Sequence, residues 1–454
     1  MTDPATLVAL SRAVHPPTGY APPTGFERLF PFQQAATAQA PLRKHLLLAH
    51  NPGLGKTPMA MALSQGRFIV VCPPTLTVQW QTRIQEWMGG HVPILATGMA
   101  AKNPPAGSFI VGDSLVHNVP PLTGCDNLVI DEVHRLKSRE ARRTLAVLGG
   151  IVERRKNYGL AHSANRVIGL TGTPLLNSPI DLFPFLSVTA SAEIGDWDAF
   201  TQRYCPPVEM RVPGSPFPVK RYDQKMQNLD ELALKLRGSV MIRPLPSECQ
   251  IQLPEVVYDT YRLPIEDPGR NLSAEDLASV FDPGTADRVG TVDKENAARL
   301  RREVGEAKAR APALISWIND LIAGGERPVV WCWHTDAAAC LAARLNAGLI
   351  MGGVPPIHRQ RAIAQYISGE SKCLVATIAS AGTGLDGLQH SGSLCIFVEQ
   401  SFSPGENEQA VARLHRTGQT RGVRVVVVRS TTTTDAGVAV VLRRKSTMAQ
   451  EGLA

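Results

Sequence analysis

The 454-residue sequence lacks the marks of several protein classes. Aromatic residues make up only 6% of it, which argues against extensive base-stacking platforms. None of its eight cysteines forms a C-x-x-C pair, so a zinc knuckle is not expected. No stretch approaches the roughly 18 apolar residues that a membrane span needs, and the N-terminus has no basic-then-apolar signal pattern. We therefore expect an intracellular protein without a membrane partner.

The cysteines and the charge balance point the same way. Cys72 and Cys395 lie within apolar runs, which predicts buried free thiols in a reducing compartment, cytoplasmic if the source is prokaryotic or viral. The formal net charge is +7. Such a surplus suits a polyanion such as nucleic acid, although many soluble proteins carry a mild surplus without binding one.

Short apolar runs alternate with helix-like stretches in two parts of the chain. In the first part they occupy 46–48, 68–71, 109–111, 128–130 and 167–170. In the second part they occupy 329–332, 373–376, 394–398 and 423–428. Buried runs separated by helices are typical of parallel sheets flanked by helices. The predicted fold class is therefore α/β, with two such lobes.

The middle of the chain breaks this alternation. It contains the helix-like stretches 230–236, 274–280 and 294–318 and a proline-rich loop at 206–218. We predict an irregular N-terminal arm at 1–28 and a first lobe at 29–237, with a helical insertion at about 180–237. The second lobe is predicted at 238–454, with a helical insertion at about 268–318.

A phosphate-binding loop is predicted at 49–57, where the sequence is Ala-His-Asn-Pro-Gly-Leu-Gly-Lys-Thr between a strand and a helix. Glycines let the backbone approach phosphates, and the amide groups of the loop and helix N-terminus face the anion. Lys56 would reach the β- and γ-phosphates, and the Thr57 hydroxyl would bind Mg²⁺. His50 stands where the strict G-x-x-x-x-G-K-[ST] pattern has its first glycine. The candidate ATP-binding residues are Pro52, Gly53, Leu54, Gly55, Lys56 and Thr57.

A pair of carboxylates follows the apolar run at 128–130. Asp131 would bind Mg²⁺, partly through water, and Glu132 would orient and activate the attacking water. An Asp-Glu pair can also simply open a solvated helix. Its position at the end of an apolar strand, downstream of the Gly-Lys-Thr loop, favours the catalytic interpretation.

Over about residues 29–445 the chain resembles helicase superfamily 2, specifically its Snf2-like branch. The segment at 29–34 is similar to the family's adenine-reading motif, with Gln33 as the reading residue. The segment from 70 to 87 resembles a "VVCP…W…EW" stretch, and 131–137 resembles D-E-A-H-R-L-K. The segment at 170–177 matches L-T-G-T-P-x-x-N. The resemblance implies two RecA-like lobes with Snf2-type helical insertions, and roles in coupling and DNA contact for Pro73, Pro74, Thr171, Gly172, Thr173 and Asn177.

In the second lobe, residues 409–419 fit the family pattern Q-A-x-x-R-x-H-R-x-G-Q. Arg413 and Arg416 are three residues apart and can share a helical face. Arginines that neutralise the γ-phosphoryl oxygens accelerate phosphoryl transfer by roughly 10³–10⁵. The resemblance gives these two a catalytic role. The motif around 382–388 resembles "aGGxGlNLq", with Asp386 where the family has Asn, and implies ATP binding by Gly384 and Asp386. Coupling and DNA contact are implied for Gln409, His415 and Gln419.

The polynucleotide is inferred from the same motifs. D-E-A-D RNA helicases typically carry S-A-T where this chain has Thr-Gly-Thr at 171–173, and they end in a different arginine motif from the one closed by Gln419. Both differences favour the Snf2-like branch. A weaker likeness to the annealing-helicase subgroup rests on 200–205 and 241–243, although Pro244 stands where that subgroup has a second arginine.

Three functions remain open from the sequence. The first is a DNA-dependent ATPase that translocates on duplex or forked DNA, with ATP between the lobes and little sequence preference. The second is a strand-separating DNA helicase of repair, replication or restriction. The third is a nucleotide-gated DNA-binding scaffold with little turnover.

Overall fold

The computed structural model describes residues 2–152, 155–172, 174, 178–210, 218–222, 226–245, 247–249, 253–265, 273–281, 294–381 and 385–451. Two compact units make up the chain, Met1–Ile251 and Gln252–Met448. Each unit is built around one parallel sheet with helices on its faces. The predicted α/β class with two sheets is therefore confirmed.

The first unit holds a seven-stranded sheet in which every pairing is parallel. The strands of this unit are β1 (Leu46–Leu48), β2 (Phe68–Cys72), β3 (Ile94–Leu95), β4 (Phe109–Gly112), β5 (Cys125–Ile130), β6 (Gly150–Val152), β7 (Arg155–Asn157), β8 (Ala164–Leu170), β9 (Val208–Met210), β10 (Val219–Arg221) and β11 (Met241–Ile242). The sheet order is β11-β1-β8-β5-β2-β4-β3, while β6–β7 and β9–β10 form separate antiparallel pairs. All five predicted apolar runs of this part are strands. They are continuously apolar because helices cover both faces of the sheet.

The helices of the first unit are α1 (Pro4–Leu10), α2 (Pro31–Ala38), α3 (Lys56–Leu63), α4 (Thr77–Met88), α5 (Gly98–Lys102), α6 (Arg142–Leu148), α7 (Phe183–Thr189), α8 (Ser191–Ile194), α9 (Trp197–Tyr204) and α10 (Leu229–Arg237). Helix α4 shows why these segments fold as they do. Trp80 and Ile84, four residues apart, face the core, and Gly89 ends the helix with a φ of +72°. Glycine adopts that conformation without the steric cost of a Cβ.

Two predicted boundaries of the first unit need correction. β11 pairs with β1 through Leu47 and Met241, so the unit runs to about residue 251 and not to 237. A strand of two residues is too short to show as an apolar run, which is why the sequence placed the boundary too early. The arm at 1–28 is not wholly irregular either, because α1 is capped by the Asp3 side chain and buries Leu7.

The second unit holds a six-stranded parallel sheet in the order β12-β17-β16-β13-β15-β14. Its strands are β12 (Val256–Leu263), β13 (Pro328–Cys332), β14 (Gly348–Ile350), β15 (Leu374–Thr377), β16 (Leu394–Phe397) and β17 (Val423–Ser430). Its helices are α11 (Ala274–Phe281), α12 (Lys294–Arg310), α13 (Pro312–Ala323), α14 (Thr335–Arg344), α15 (Pro356–Ser368), α16 (Ile378–Ala381), α17 (Pro404–Val411) and α18 (Thr433–Glu451). The four predicted strands are present. β12 was missed because its sequence mixes polar and apolar residues.

One predicted helix is two. The stretch at 294–318 divides between α12 and α13, because Pro312 cannot continue a helix and instead occupies the first turn of α13. Most of the predicted proline-rich loop, 211–217, lies outside the described residues. All eight cysteines are free thiols and seven are buried, as predicted. None of the helices in the described part of the chain is long and apolar enough to span a membrane.

Candidate functional site

The predicted phosphate loop joins β1 to α3, and two glycines shape it. Gly53 has a φ of +84° and Gly55 a φ of +68°. The amide nitrogen of the buried Gln33 donates a hydrogen bond to the Leu54 carbonyl at 3.1 Å. A Cβ at Gly55 would come within 2.4 Å of that nitrogen, so only glycine fits there. Gln33 thus stabilises the loop through this hydrogen bond.

Lys56 begins α3 and turns back over the loop. Its Nζ donates to the His50 carbonyl at 2.9 Å and to the Asn51 carbonyl at 3.4 Å. The positive charge and the helix N-terminus therefore face the same small region, where an anion would be stabilised. Thr57, the next residue, lies in the first turn of α3.

His50 fills the position of the missing glycine, and its ring is fully buried. Burial and the positive charges of Lys56 and Arg243 lower its pKa to about 3, so the imidazole is neutral. The ring packs 6.0 Å from the Phe32 ring, centroid to centroid. Arg243 donates to the Ala49 carbonyl at 2.7 Å and so ties the start of the loop to the segment after β11. No sequence motif predicts that contact.

Asp131 and Glu132 lie at the carboxyl end of β5. Asp131 is half-buried, and burial of its carboxyl group together with the neighbouring Glu132 raises its pKa to about 6. Its Oδ2 accepts a hydrogen bond from the Trp80 indole at 2.8 Å, and its Oδ1 accepts one from the Glu132 amide at 3.0 Å. Glu132 has a φ of +51°, a conformation that is uncommon away from glycine and turns the chain sharply after the strand.

His134 connects the two carboxylates to the next predicted motif. Its Nδ1 lies 3.3 Å from Glu132 Oε2 and 3.3 Å from Thr171 Oγ1. Gly172 packs against the phosphate loop, because a Cβ there would come within 2.8 Å of Pro52 Cγ. The predicted coupling residues Thr171 and Gly172 therefore contact the predicted ATP site. Thr173 and Asn177 lie outside the described residues.

The carboxyl ends of β2 and β4 carry a further polar contact. Pro73 follows β2, and Pro74 starts a short 3-10 turn that leads into α4. Asp113, which follows β4, is buried. It accepts a hydrogen bond from Arg135 at 2.7 Å and lies 3.7 Å from Arg143. No motif predicted Asp113 as a site residue, although a carboxylate directly after an apolar run was the available signal.

In the second unit the catalytic candidate Arg416 is ion-paired. Its Nη1 lies 3.0 Å from Asp386 Oδ1, with the two side chains 21% and 25% exposed. The same carboxylate oxygen accepts a hydrogen bond from the Gly387 amide at 3.1 Å. Asp386 was predicted to bind ATP. Its position against Arg416 favours the role of a counter-ion, which a search for ATP-binding motifs would not find. Gly384 lies outside the described residues.

The remaining candidates of the second unit point inward. The Gln419 amide donates to the Gly392 carbonyl at 2.9 Å and accepts from the Thr420 amide at 3.0 Å. His415 Nε2 lies 2.9 Å from the Pro254 carbonyl, and Gln409 is buried. These contacts favour bracing of the arginine-bearing segment over direct contact with DNA.

Comparisons with known proteins show which proteins the chain resembles. A family model described as "SNF2-related domain" matches residues 113–272. The chain is 27% identical over 415 residues to the SWI/SNF-related matrix-associated actin-dependent regulator of chromatin subfamily A-like protein 1 of Xenopus tropicalis, covering 87% of this chain and 42% of the relative. It is 26% identical over 450 residues to the DNA annealing helicase and endonuclease ZRANB3 of Mus musculus, covering 92% of this chain and 40% of the relative.

The chain thus spans about two fifths of the length of these curated relatives. A solved structure of the Sulfolobus solfataricus SWI2/SNF2 ATPase core in complex with dsDNA aligns over 90% of each chain, with 17% identity and a TM-score of 0.42. The sequence comparisons confirm the resemblance to the Snf2-like branch that the motifs indicated.

Proposed function

We propose that this chain is a DNA-dependent ATPase motor that translocates on or remodels duplex or forked DNA. The observation that carries the proposal is the arrangement in the first unit. There Lys56 lies over a loop that two glycines shape. Glu132, one of the two carboxylates, is connected to Thr171 through His134. The kinship with a protein named as a DNA annealing helicase supports the choice of DNA.

Mg²⁺ fits the donors that are present. Among the described residues no group of three or more His, Cys, Asp and Glu side chains could hold a metal ion. Mg²⁺ does not need such a group, because in nucleotide sites it takes one or two protein ligands and completes its shell with water and phosphate oxygens. Asp131 and Thr57 would hold it. When bound, Mg²⁺ supplies positive charge to the β- and γ-phosphate oxygens.

The protein groups then have distinct tasks. Lys56 would bind the β- and γ-phosphates against the loop amides. Glu132 would orient the attacking water and accept its proton, while Arg413 and Arg416 would neutralise charge on the γ-phosphoryl oxygens in the transition state. His134 would relay the position of Glu132 to Thr171, and so couple hydrolysis to the segment that follows β8.

The DNA contacts are proposed at the carboxyl ends of the strands in the first unit, through Pro73, Pro74 and the 171–177 segment. Contacts of this kind reach the phosphate backbone, so we expect little sequence preference. Counterion release would make binding weaken steeply as the salt concentration rises.

The experiment that tests the proposal is the ATPase rate of the chain with no nucleic acid and with single-stranded DNA, duplex DNA, forked DNA and RNA. We expect a low basal rate and a large rise with duplex or forked DNA, and loss of turnover in Lys56→Ala. Equal stimulation by RNA would contradict the choice of DNA. Unwinding of a forked duplex, beyond displacement of a third strand, would favour a strand-separating helicase. A biological activity that survives Lys56→Ala would favour a nucleotide-gated scaffold.

A further inference from the structure

Trp80 makes a contact that ordinary core packing does not require. The ring is 2% exposed and lies on the buried face of α4. Its Nε1–H donates to Asp131 Oδ2 at 2.8 Å, which lies within the usual range for a hydrogen bond from an N–H donor. A phenylalanine could fill much of the same apolar space but could not make this bond.

The bond fixes one oxygen of the carboxylate that is proposed to bind Mg²⁺. The other oxygen accepts from the Glu132 amide at 3.0 Å, so each oxygen has one donor and keeps lone pairs for other partners. Two donors from different elements, α4 and the turn after β5, hold the carboxylate at one angle. Partners of this kind orient metal ligands, and their loss typically costs about 10–100-fold in metal affinity or activity.

The location of Trp80 also matters for the motor. Helix α4 follows directly from Pro73 and the 3-10 turn at Pro74–Leu76, where we propose that DNA binds. Trp80 lies in the first turns of that helix. It therefore joins the helix after the proposed DNA-binding turn to the proposed metal ligand by a single hydrogen bond.

We propose that Trp80 is a positioning residue for Asp131, and that its indole N–H sets the carboxylate in the orientation that binds the metal of the metal–nucleotide complex. The inference rests on the proposed ATPase function. It gives Trp80 a role beyond the packing of the core.

Trp87, on the same helix, provides a matched control. Its ring stacks on Phe26 with centroids 5.5 Å apart, and the Arg28 guanidinium lies 3.7 Å from its centroid. Trp87→Phe therefore removes the same atoms from α4 as Trp80→Phe and disturbs packing near its end. The pair of variants separates the loss of a tryptophan from the loss of the bond to Asp131.

The test is metal binding, measured apart from turnover. Mn²⁺, which stands in for Mg²⁺, is titrated into the chain with bound ADP and followed by electron paramagnetic resonance. The affinity for a fluorescent ADP is measured with Mg²⁺ and with EDTA. We expect Trp80→Phe to weaken Mn²⁺ binding about tenfold and to leave ADP affinity in EDTA unchanged, while Trp87→Phe changes neither. An Mn²⁺ affinity of Trp80→Phe within twofold of the unmodified chain overturns the proposal.

Two further measurements keep the outcome clear. If Trp80→Phe fails to fold by circular dichroism, the benzothiophene analogue of tryptophan is incorporated at position 80, because it keeps the ring shape and lacks the N–H. The same tenfold loss is expected, and an unchanged affinity again overturns the proposal. Failure of the proposed function is distinguishable, since the unmodified chain would then show neither nucleotide-dependent Mn²⁺ binding nor DNA-stimulated ATPase.

Discussion

The proposed ATP site of the first unit and the arginine motif of the second unit hold their polar groups in different ways. In the first unit each key group has several fixed partners. Gln33 bonds to the phosphate loop, Trp80 to Asp131, and His134 lies against both Glu132 and Thr171. In the second unit Arg416 pairs with a carboxylate at a distance of 3.0 Å, and both side chains keep about a fifth or more of their surface accessible.

We interpret this difference as two tasks of the proposed motor. A preformed loop and an oriented carboxylate would bind the nucleotide in a fixed geometry, and such preorganisation avoids reorganisation during the reaction. A partly exposed ion pair is weak in water and can exchange one anion for another at little cost. In the proposed mechanism, Asp386 would give Arg416 an anionic partner that a γ-phosphoryl group would replace.

Among the proposed variants, Arg416→Ala should have the largest effect. The arginine is proposed to act on charge that develops in the transition state, so we expect kcat to fall by about 10³ while nucleotide affinity stays unchanged. Single-turnover kinetics and fluorescent-nucleotide binding measure the two quantities. Arg416→Lys, which keeps the charge but loses the planar fork, should recover only a small part of the rate. A variant that loses affinity and keeps kcat would assign Arg416 to binding.

The same contrast shows what the sequence could predict. The loop at 49–57 and the strand before Asp131 were predictable, because glycines, a lysine and an apolar run mark them locally. The pairing of Trp80 with Asp131 joins residues 51 positions apart, and Asp386 and Arg416 are 30 positions apart. Contacts between residues this far apart produce no local pattern in the sequence. The strand β11 could not be predicted for another reason, because it contributes only Met241 and Ile242 to the sheet. Local chemistry was predictable, and long-range partners were not.

The second unit also contains a buried ion pair, which differs from the partly exposed pair of Arg416 and Asp386. Lys308 is 2% exposed. Its Nζ donates to the carbonyls of Val398 and Val428 at 3.0 and 2.9 Å and lies 2.7 Å from Asp435 Oδ2. Here α12 is anchored on the carboxyl ends of β16 and β17.

Lys308→Met should destabilise the second unit by about 3 kcal/mol, because it leaves a carboxylate and two carbonyls without their buried cation. Urea unfolding, followed with Trp331 and Trp333 as reporters, measures the loss. The double variant Lys308→Met with Asp435→Asn also loses the carboxylate charge. Adding Asp435→Asn to Lys308→Met should therefore lower the free energy of unfolding by less than Asp435→Asn does in the unmodified chain. Additive costs for the two changes would show that the pair is not coupled.

Asp386→Ala should give the smallest effect. An ion pair this exposed contributes roughly 0.2–1 kcal/mol, and at 1.4 kcal/mol per tenfold this corresponds to a loss of at most about fivefold in kcat. The loss is expected because Arg416 becomes less well oriented. Nucleotide affinity should stay unchanged if Asp386 serves as a counter-ion. Asp386→Asn keeps an acceptor oxygen, so its decrease should be smaller still. ATPase rates at saturating DNA and ATP measure both variants. A tenfold or larger loss of nucleotide affinity would instead place Asp386 on the nucleotide, because removal of a counter-ion to Arg416 acts on the rate and not on binding.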